Sequence, residues 1–187
     1  MENVVLGLLI IQSLTLYELN RAFTQGISMF YSASYGSLQI AVKNLLNKGM
    51  IVYQERVDKG RNKKVYSITE HGKEAFYQWM LSEIPAKKLE VTALSKVYFL
   101  GLIQEVEQKK QILVEILTKI QWVQDQLNKM NDETGRFEIP PSYQGILKYQ
   151  LKTLDYGLKA HDFAREWFLA LLEDLESTPK TEPGERV

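Results

Sequence analysis

The sequence predicts a mainly α-helical protein built from two parts, and three patterns along the chain predict this. Residues 1–84 read as α-α-α-β-β-α, because helical periods give way to β-type alternation after Gly49 and then return. Residues 91–176 show only long helical periods, which predicts an antiparallel helical domain. We expect residues 85–90 to form a linker and the proline-containing residues 177–187 to be disordered.

The composition sets the broad class of protein. The chain has 187 residues, of which 45% are hydrophobic and 25% charged, as is typical of a globular protein with a buried core. It has no cysteine, which excludes disulfides, thiol nucleophiles and cysteine-metal sites. No apolar run reaches the length of a membrane span, and the first residues lack the basic flank of a signal peptide. We therefore expect a cytoplasmic protein without a membrane partner.

Three helices are predicted in the first part of the chain. The apolar run 4–11 is short enough to be a buried helix or a buried strand, and periodicity does not decide between them. Thr15 and Glu18 have the spacing of a capping box, which predicts a helix that ends at Gly26. Residues 34–48 have one apolar face, so they are predicted to form the third helix. Its apolar residues are Leu38, Ala41, Val42, Leu45 and Leu46.

A β-hairpin is predicted to follow the third helix. Residues 50–56 are rich in β-formers and residues 64–68 alternate apolar with polar side chains. Residues 58–62 between them form a flexible, basic turn. Thr69 then caps a further helix that must end before Pro85. A helix-turn-helix followed by such a hairpin is a winged helix-turn-helix, in which the hairpin is the wing.

Charge is concentrated on the third helix and the wing. Residues 34–64 contain seven basic and two acidic residues, while the whole chain is neutral. A local basic patch of this kind is typical of a module that binds double-stranded DNA. An ordinary amphipathic surface helix beside a solvated hairpin remains the alternative. The candidate DNA-binding residues are Ser34, Tyr35, Ser37, Gln39, Lys43, Arg61, Lys63, Lys64 and Tyr66.

The first half of the chain resembles the PadR-type transcriptional regulators. The segments that carry the resemblance are residues 6–9, 16–19, 36–39, 48–51 and 66–72, together with Leu45. The chain departs from the family pattern at Gln39, where many members have tyrosine, and at Leu46, where they have an acidic residue. The resemblance implies a DNA-binding regulator, most often a repressor, whose C-terminal helices form a homodimer. It also implies that some members sense small aromatic compounds.

Two long helices are predicted in the second part of the chain. Residues 105–131 carry two adjacent apolar stripes, and residues 142–176 carry an apolar seam with alternating steps of four and three residues. His161 and Arg165 interrupt this seam. A dimer and an intramolecular helical hairpin are both compatible with the pattern. The candidate dimerisation residues are Leu147, Leu151, Leu154, Leu158, Phe168 and Leu172.

The sequence predicts no enzyme. It has two histidines, no phosphate-binding loop and no glycine-rich dinucleotide motif, so we expect no catalytic residue, metal or cofactor. We expect a dimeric repressor that binds a two-fold symmetric operator; a winged-helix module that binds a protein is the alternative. For a last group of candidate residues, a role in core packing and a role in binding an aromatic effector both remain open. These candidates are Tyr98, Trp122, Arg165 and Trp167.

Overall fold

A computed structural model describes residues 1–32, 34–58, 61–134 and 140–177 of the chain. Within these ranges it has seven α-helices and three β-strands. The helices are α1 (Glu2–Ile11), α2 (Leu16–Gln25), α3 (Tyr35–Asn47), α4 (Glu70–Leu81), α5 (Leu89–Tyr98), α6 (Val106–Thr134) and α7 (Gln144–Ser177). The strands are β1 (Leu14–Thr15), β2 (Ile51–Asp58) and β3 (Arg61–Ile68). The chain forms two compact units. The first unit contains Met1–Glu83 and Glu90–Gln104, and the second contains Ile84–Leu89 and the chain from Glu105 onward.

The first apolar run forms a helix, which settles the choice that periodicity left open. Six consecutive residues of α1 are buried, so this helix is apolar on all sides and lies in the core of the first unit. It packs against α3 and α4. The buried residues are Val4, Val5, Leu6, Gly7, Leu8 and Leu9.

The helix starts predicted from the sequence are confirmed. The backbone N–H of Thr15 donates to the Glu18 carboxylate over 2.8 Å, and the N–H of Glu18 donates to the Thr15 hydroxyl over 3.2 Å. This capping box begins α2 one residue after Thr15. The third helix ends near Gly49, whose φ of 65° lies in the left-handed region that favours glycine. Its buried residues are Leu38, Ala41, Val42 and Leu45.

The wing is an antiparallel hairpin within a three-stranded sheet of order β1-β3-β2. Strands β2 and β3 pair from Ile51 opposite Ile68 to Asp58 opposite Arg61, so both strands are longer than predicted. Strand β1 was missed by the sequence analysis. It pairs only two residues, Leu14 and Thr15, with β3, and two residues are too few to show an alternating period.

Residues 90–104, which are α5 after its first residue and the turn that follows, belong to the first unit, whereas residues 91–104 were predicted to lie in the C-terminal domain. The Phe99 ring packs edge-on against Phe76 of α4, with centroids 5.6 Å apart. The Tyr98 ring lies 6.2 Å from that of Phe30. Large aromatic rings bury much apolar surface, so these contacts draw α5 towards the N-terminal core. Leu89, which falls in the predicted linker, is also buried.

The second unit contains an antiparallel hairpin of α6 and α7. The Lys110 ammonium lies 3.7 Å from the Glu176 carboxylate, and the Gln124 side chain donates to Asp162 over 2.6 Å. Lys110, near the start of α6, thus lies close to Glu176, near the end of α7, as is required of antiparallel helices. The sequence predicts a loop over residues 131–141 and a disordered tail over residues 177–187, but α6 continues to Thr134 and α7 to Ser177. Residues 135–139 and 178–187 lie outside the described residues.

We expect Gly7→Ala to destabilise the first unit. A Cβ at position 7 would lie 2.7 Å from the Phe99 ring and 2.9 Å from the Phe76 ring, so the aromatic cluster would have to shift. Overpacking of this kind costs about 1–3 kcal/mol, which thermal unfolding of the full chain would measure. Gly101→Ala is the control, because its Cβ would meet nothing within 4 Å. Equal unfolding temperatures for the two variants would contradict this packing.

Candidate nucleic-acid interface

The outward face of α3 is the first part of the candidate interface. Lys43 is exposed on the side of the helix away from its buried residues, and Tyr35 and Gln39 are exposed on one flank of it. Tyr35 stands at the front end of the helix, where a side chain reaches the floor of a groove most easily. Amide and ammonium groups on such a face can contact base edges and phosphates. The sequence analysis missed Ile40, which is also exposed there.

Ser34 and Ser37 are engaged in the start of α3. The N–H of Ser37 donates to the Ser34 hydroxyl over 3.2 Å, and the N–H of Ser34 donates to the Ser37 hydroxyl over 3.1 Å. The Ser37 hydroxyl donates in turn to the Ser34 carbonyl over 2.7 Å. These bonds satisfy backbone groups at the helix end, so both serines have a structural role that the sequence analysis did not assign to them.

The wing presents basic side chains from β3. Lys63 and Lys64 are both exposed, and Lys64 Nζ lies 4.2 Å from the centroid of the Tyr53 ring. This cation–π contact holds Lys64 beside the strand. The side chain of Arg61 lies outside what the structure describes, as do residues 59–60 at the tip.

Tyr66 has a different environment from the one expected of a DNA-contacting residue. It is buried, with 8% of its surface exposed, because it lies on the central strand opposite Leu14 on one side and Tyr53 on the other. The rings of Tyr53 and Tyr66 are 6.1 Å apart. Tyr66 therefore contributes to sheet packing first, and reaches the surface only where it lines the cavity described next.

An open cavity of about 400 Å³ lies between the start of α2 and strand β3. Three basic side chains and one carboxylate line it, which gives a net positive lining. Arg21 and Tyr17 were missed by the sequence analysis, since nothing local to α2 indicates that it faces the wing. The lining residues are Thr15, Leu16, Tyr17, Glu18, Arg21, Lys63, Lys64 and Tyr66.

Glu18 is the acidic group among the described residues that line this cavity. Hydrogen bonds from the backbone and hydroxyl of Thr15, aided by the charge of Lys63, hold the pKa of Glu18 below its ordinary value. The carboxylate is therefore ionised at neutral pH. Its oxygen Oε2 is already bonded to Thr15.

One end of α3 is tied to the start of α1. Lys48 donates to the Glu2 carboxylate over 2.6 Å, and Asn44 donates to it over 3.0 Å. Burial alone raises the pKa of Glu2, but the bonds from Lys48 and Asn44 outweigh it, so the pKa lies below the ordinary value. Lys48 is thus neutralised by an ion pair, and the positive charge of α3 comes from Lys43.

The predicted dimerisation seam lies on the half-buried side of α7. Phe168 is buried, with 4% exposed, while the other seam leucines are only partly covered. Asp162, next to this seam, bonds to Gln124 of α6, which places α6 over the same side of the helix. A second stripe on the opposite side is exposed and aromatic. Its large members are Tyr149, Tyr156, Phe163 and Trp167, and Ile146 is exposed beside it.

The candidate effector residues are divided between the two units. Tyr98 lies in the first unit, next to Phe30 and Phe99, and the other three lie in the second. Trp122 is 51% exposed on α6, and Trp167 is 42% exposed on α7. Arg165 is exposed. His161, which also interrupts the seam, bonds through Nδ1 to the Gly157 carbonyl over 2.8 Å.

The fold and the charged surfaces define the class of protein first: this is a winged helix with a helical hairpin appended to it. Residues 5–78 match the model of the transcriptional regulator PadR-like family. The winged-helix module of this chain thus matches the PadR-like family of transcriptional regulators, which confirms the resemblance found in the sequence. The family is one of regulators and not of enzymes.

One curated protein and two solved structures are similar to this chain. The negative transcriptional regulator PadR of Bacillus subtilis (strain 168) is 24% identical over 109 residues, which are 57% of this chain and 60% of that protein. The crystal structure of Bacillus subtilis PadR in complex with operator DNA is 19% identical, covers 93% of this chain and 98% of that one, and has a TM-score of 0.43. A PadR-like regulator from Bacillus cereus is 26% identical, covers 93% and 94%, and has a TM-score of 0.42.

The chain thus spans 60% of the length of the curated relative that it matches. Among the described residues, every helix is too short or too polar to cross a membrane.

We expect Glu18→Gln to reduce the stability of the first unit at neutral pH and to have no effect in acid. The pKa of Glu18 is lowered by folding from an ordinary value of 4.5. Its contribution to stability is therefore complete above pH 4.5 and is lost as the pH falls through the folded pKa. Thermal unfolding across this pH range measures it. Exposed Glu74 of α4 supplies the control variant, Glu74→Gln. A difference between parent and Glu18→Gln that persists in strong acid would refute the assignment.

Proposed function

We propose that this protein is a dimeric regulator that binds a two-fold symmetric DNA operator through α3 and the wing. The observation that carries the proposal is the cavity between α2 and β3, where Arg21, Lys63 and Lys64 converge on a space open to solvent. The exposed polar face of α3 lies on the same unit. Sequence-specific DNA binding requires two parts. One is a helix that contacts base edges in the major groove, and the other is a set of basic side chains that bind the phosphate backbone.

The basic cavity fits a phosphate of the DNA backbone. Guanidinium and ammonium groups bind phosphate oxygens, and each contact releases a counterion from the DNA. The start of α2 adds the positive end of its helix dipole. The Glu18 carboxylate is held by two bonds of 2.7 and 2.8 Å to Thr15, and its single negative charge is outweighed by the three basic side chains of the lining.

Repression is the proposed direction of regulation. The curated relative is named as a negative transcriptional regulator, and its matched region includes 57% of this chain. A protein that occupies an operator blocks access to the DNA by its bulk alone. We extend this mode of action to the present chain as part of the proposal.

A homodimer is proposed through the α6–α7 hairpin. One helix covers the seam of α7 only in part, and the aromatic stripe on the opposite side is left exposed. A second hairpin would bury both kinds of surface. Two copies of the winged helix would then reach successive major grooves about 34–36 Å apart, which is the spacing of a two-fold symmetric operator.

The last part of the proposal is that a small aromatic effector releases the protein from its operator. Trp122 and Trp167 present half-exposed rings on which a flat molecule can stack, and Arg165 can pair with a carboxylate. Quenching of tryptophan fluorescence by phenolic acids tests this part alone. Unchanged fluorescence in both Trp122→Phe and the parent would remove the effector from the proposal.

Replacing Lys63 and Lys64 with alanine is expected to weaken binding to all duplexes alike. Each lost phosphate contact lowers the slope of log affinity against log salt by roughly one. Gln39→Ala is expected instead to relax the preference for one base pair, worth about 1–3 kcal/mol. Genomic fragments retained by the full chain supply the operator, and fluorescence anisotropy over a range of salt concentrations measures both effects.

The double variant Lys87→Ala/Lys88→Ala is the matched control, because it also removes two adjacent exposed lysines. An interface elsewhere would be indicated if the two double variants lost affinity equally. Retention of no genomic fragment, together with a stable protein partner, would favour the winged helix as a protein-interaction module.

Tyr156→Glu is expected to shift the protein from dimer to monomer. Tyr156 is 73% exposed in the middle of the aromatic stripe, so a charge there leaves the fold of one chain intact but opposes burial against a second copy. Sedimentation equilibrium of the full chain measures the shift. Tyr17→Glu is the control, because Tyr17 is 71% exposed in the first unit. A parent protein that sediments as a monomer at high concentration would overturn the dimer.

A further inference from the structure

Ile40 is an apolar residue in the middle of the most polar face of α3. It is 63% exposed, whereas Leu38 and Val42 on the buried face are 2% and 3% exposed. At 100° per residue, position 40 points almost directly away from the buried face, as do positions 36, 43 and 47. One edge of Ile40 borders a shallow cavity that Glu2 also lines, and most of the residue's surface is open to solvent.

Gly36 lies one turn before Ile40 on the same outward face. Its backbone does not have a positive φ, and a Cβ built on it would meet only the Ser34 hydroxyl, at 3.8 Å. Neither the conformation nor the packing of the described chain therefore requires glycine at this position. Glycine also weakens a helix relative to alanine. The missing side chain instead leaves room for a partner to come close to the front turn of α3.

We infer that Gly36 and Ile40 together read a thymine in the operator, Gly36 by permitting close approach and Ile40 by packing on the thymine 5-methyl group. This inference rests on the proposed function and adds a base preference to it. Thymine is the only base that presents a methyl group in the major groove, and an aliphatic side chain is its natural contact.

The charges around this face match a nucleic acid and not an apolar protein surface. Lys43 lies one turn after Ile40 on the same side, and the wing of the same unit carries exposed Arg56, Lys63 and Lys64. The carboxylate nearest this face, that of Glu2, is paired with Lys48, so the unpaired charge beside Ile40 is that of Lys43. An apolar side chain next to a cation suits a small apolar group set between phosphates. The duplex is therefore the occupant to which the inference commits.

The test replaces thymine by deoxyuridine, which removes only the methyl group. A duplex selected by the full-length parent from random sequence is remade with one uracil at a time, and affinity is measured by fluorescence anisotropy. We expect one uracil in each half-site to lower the affinity of the parent for the duplex by about fourfold, which corresponds to the free energy of burying one methyl group. Ile40→Ala should bind the thymine duplex more weakly and be insensitive to that same uracil.

Two further variants separate this reading from a structural effect. Ile11→Ala is the matched control, because Ile11 is 57% exposed on a different helix, and it should keep both the parental affinity and the sensitivity to uracil. Gly36→Ala should unfold at a higher temperature than the parent and yet bind the selected duplex more weakly.

The outcomes are distinguishable. If the parent selects no duplex, the proposed function fails and the inference fails with it. If the parent selects a duplex but no uracil substitution lowers its affinity for that duplex, only the inference is overturned. The same holds if Ile40→Ala remains as sensitive to uracil as the parent.

Discussion

The burial of α1 is the constraint on which the first unit depends. Its residues from Val4 to Leu9 are apolar on every side of the helix, so it must be surrounded by other elements. Helices α3 and α4 pack against it and the aromatic ring of Phe99 closes over Gly7. Because α3 gives its apolar face to this helix, its polar face is turned outward. The same helix start then holds one end of α3 through the Glu2–Lys48 ion pair.

Some polar groups of the winged helix stabilise its helix starts, and others are exposed on its surface. Ser34, Ser37 and Thr15 satisfy backbone groups at helix starts, where they define the first turns of α2 and α3. Gln39 and Lys43 have no such task and are exposed. The outward face of α3 that remains is narrow, and the exposed Ile40 on it keeps apolar surface in contact with water, which a partner would remove.

The second unit has a less complete core. A buried amide, Gln124, fixes the register of α6 against α7 through its bond to Asp162, because a one-residue slip would leave the amide unsatisfied. The leucines on either side of that bond are only partly covered, and the aromatic residues on the far side of α7 are exposed. A hairpin with this much uncovered apolar surface is a typical half of a larger helical assembly.

The sequence by itself determined the elements whose signals are local. Capping boxes, apolar periods and turn residues lie within a few positions of one another, so α2, α3, the hairpin and the two long helices were predicted with small errors at their ends. The apolar side of α3 followed from the same periods. The family resemblance in the first half of the chain was also local, since it rests on short motifs.

Only the tertiary structure decided which distant residues meet. The pairing of β1 with β3, the inclusion of α5 in the first unit and the burial of Tyr66 all depend on neighbours far along the chain. Arg21 joins Lys63 at the basic cavity, and Lys48 meets Glu2 across 46 positions. Such contacts arise because burying apolar surface folds separate elements onto one another, and no local pattern encodes which side chains that folding brings together.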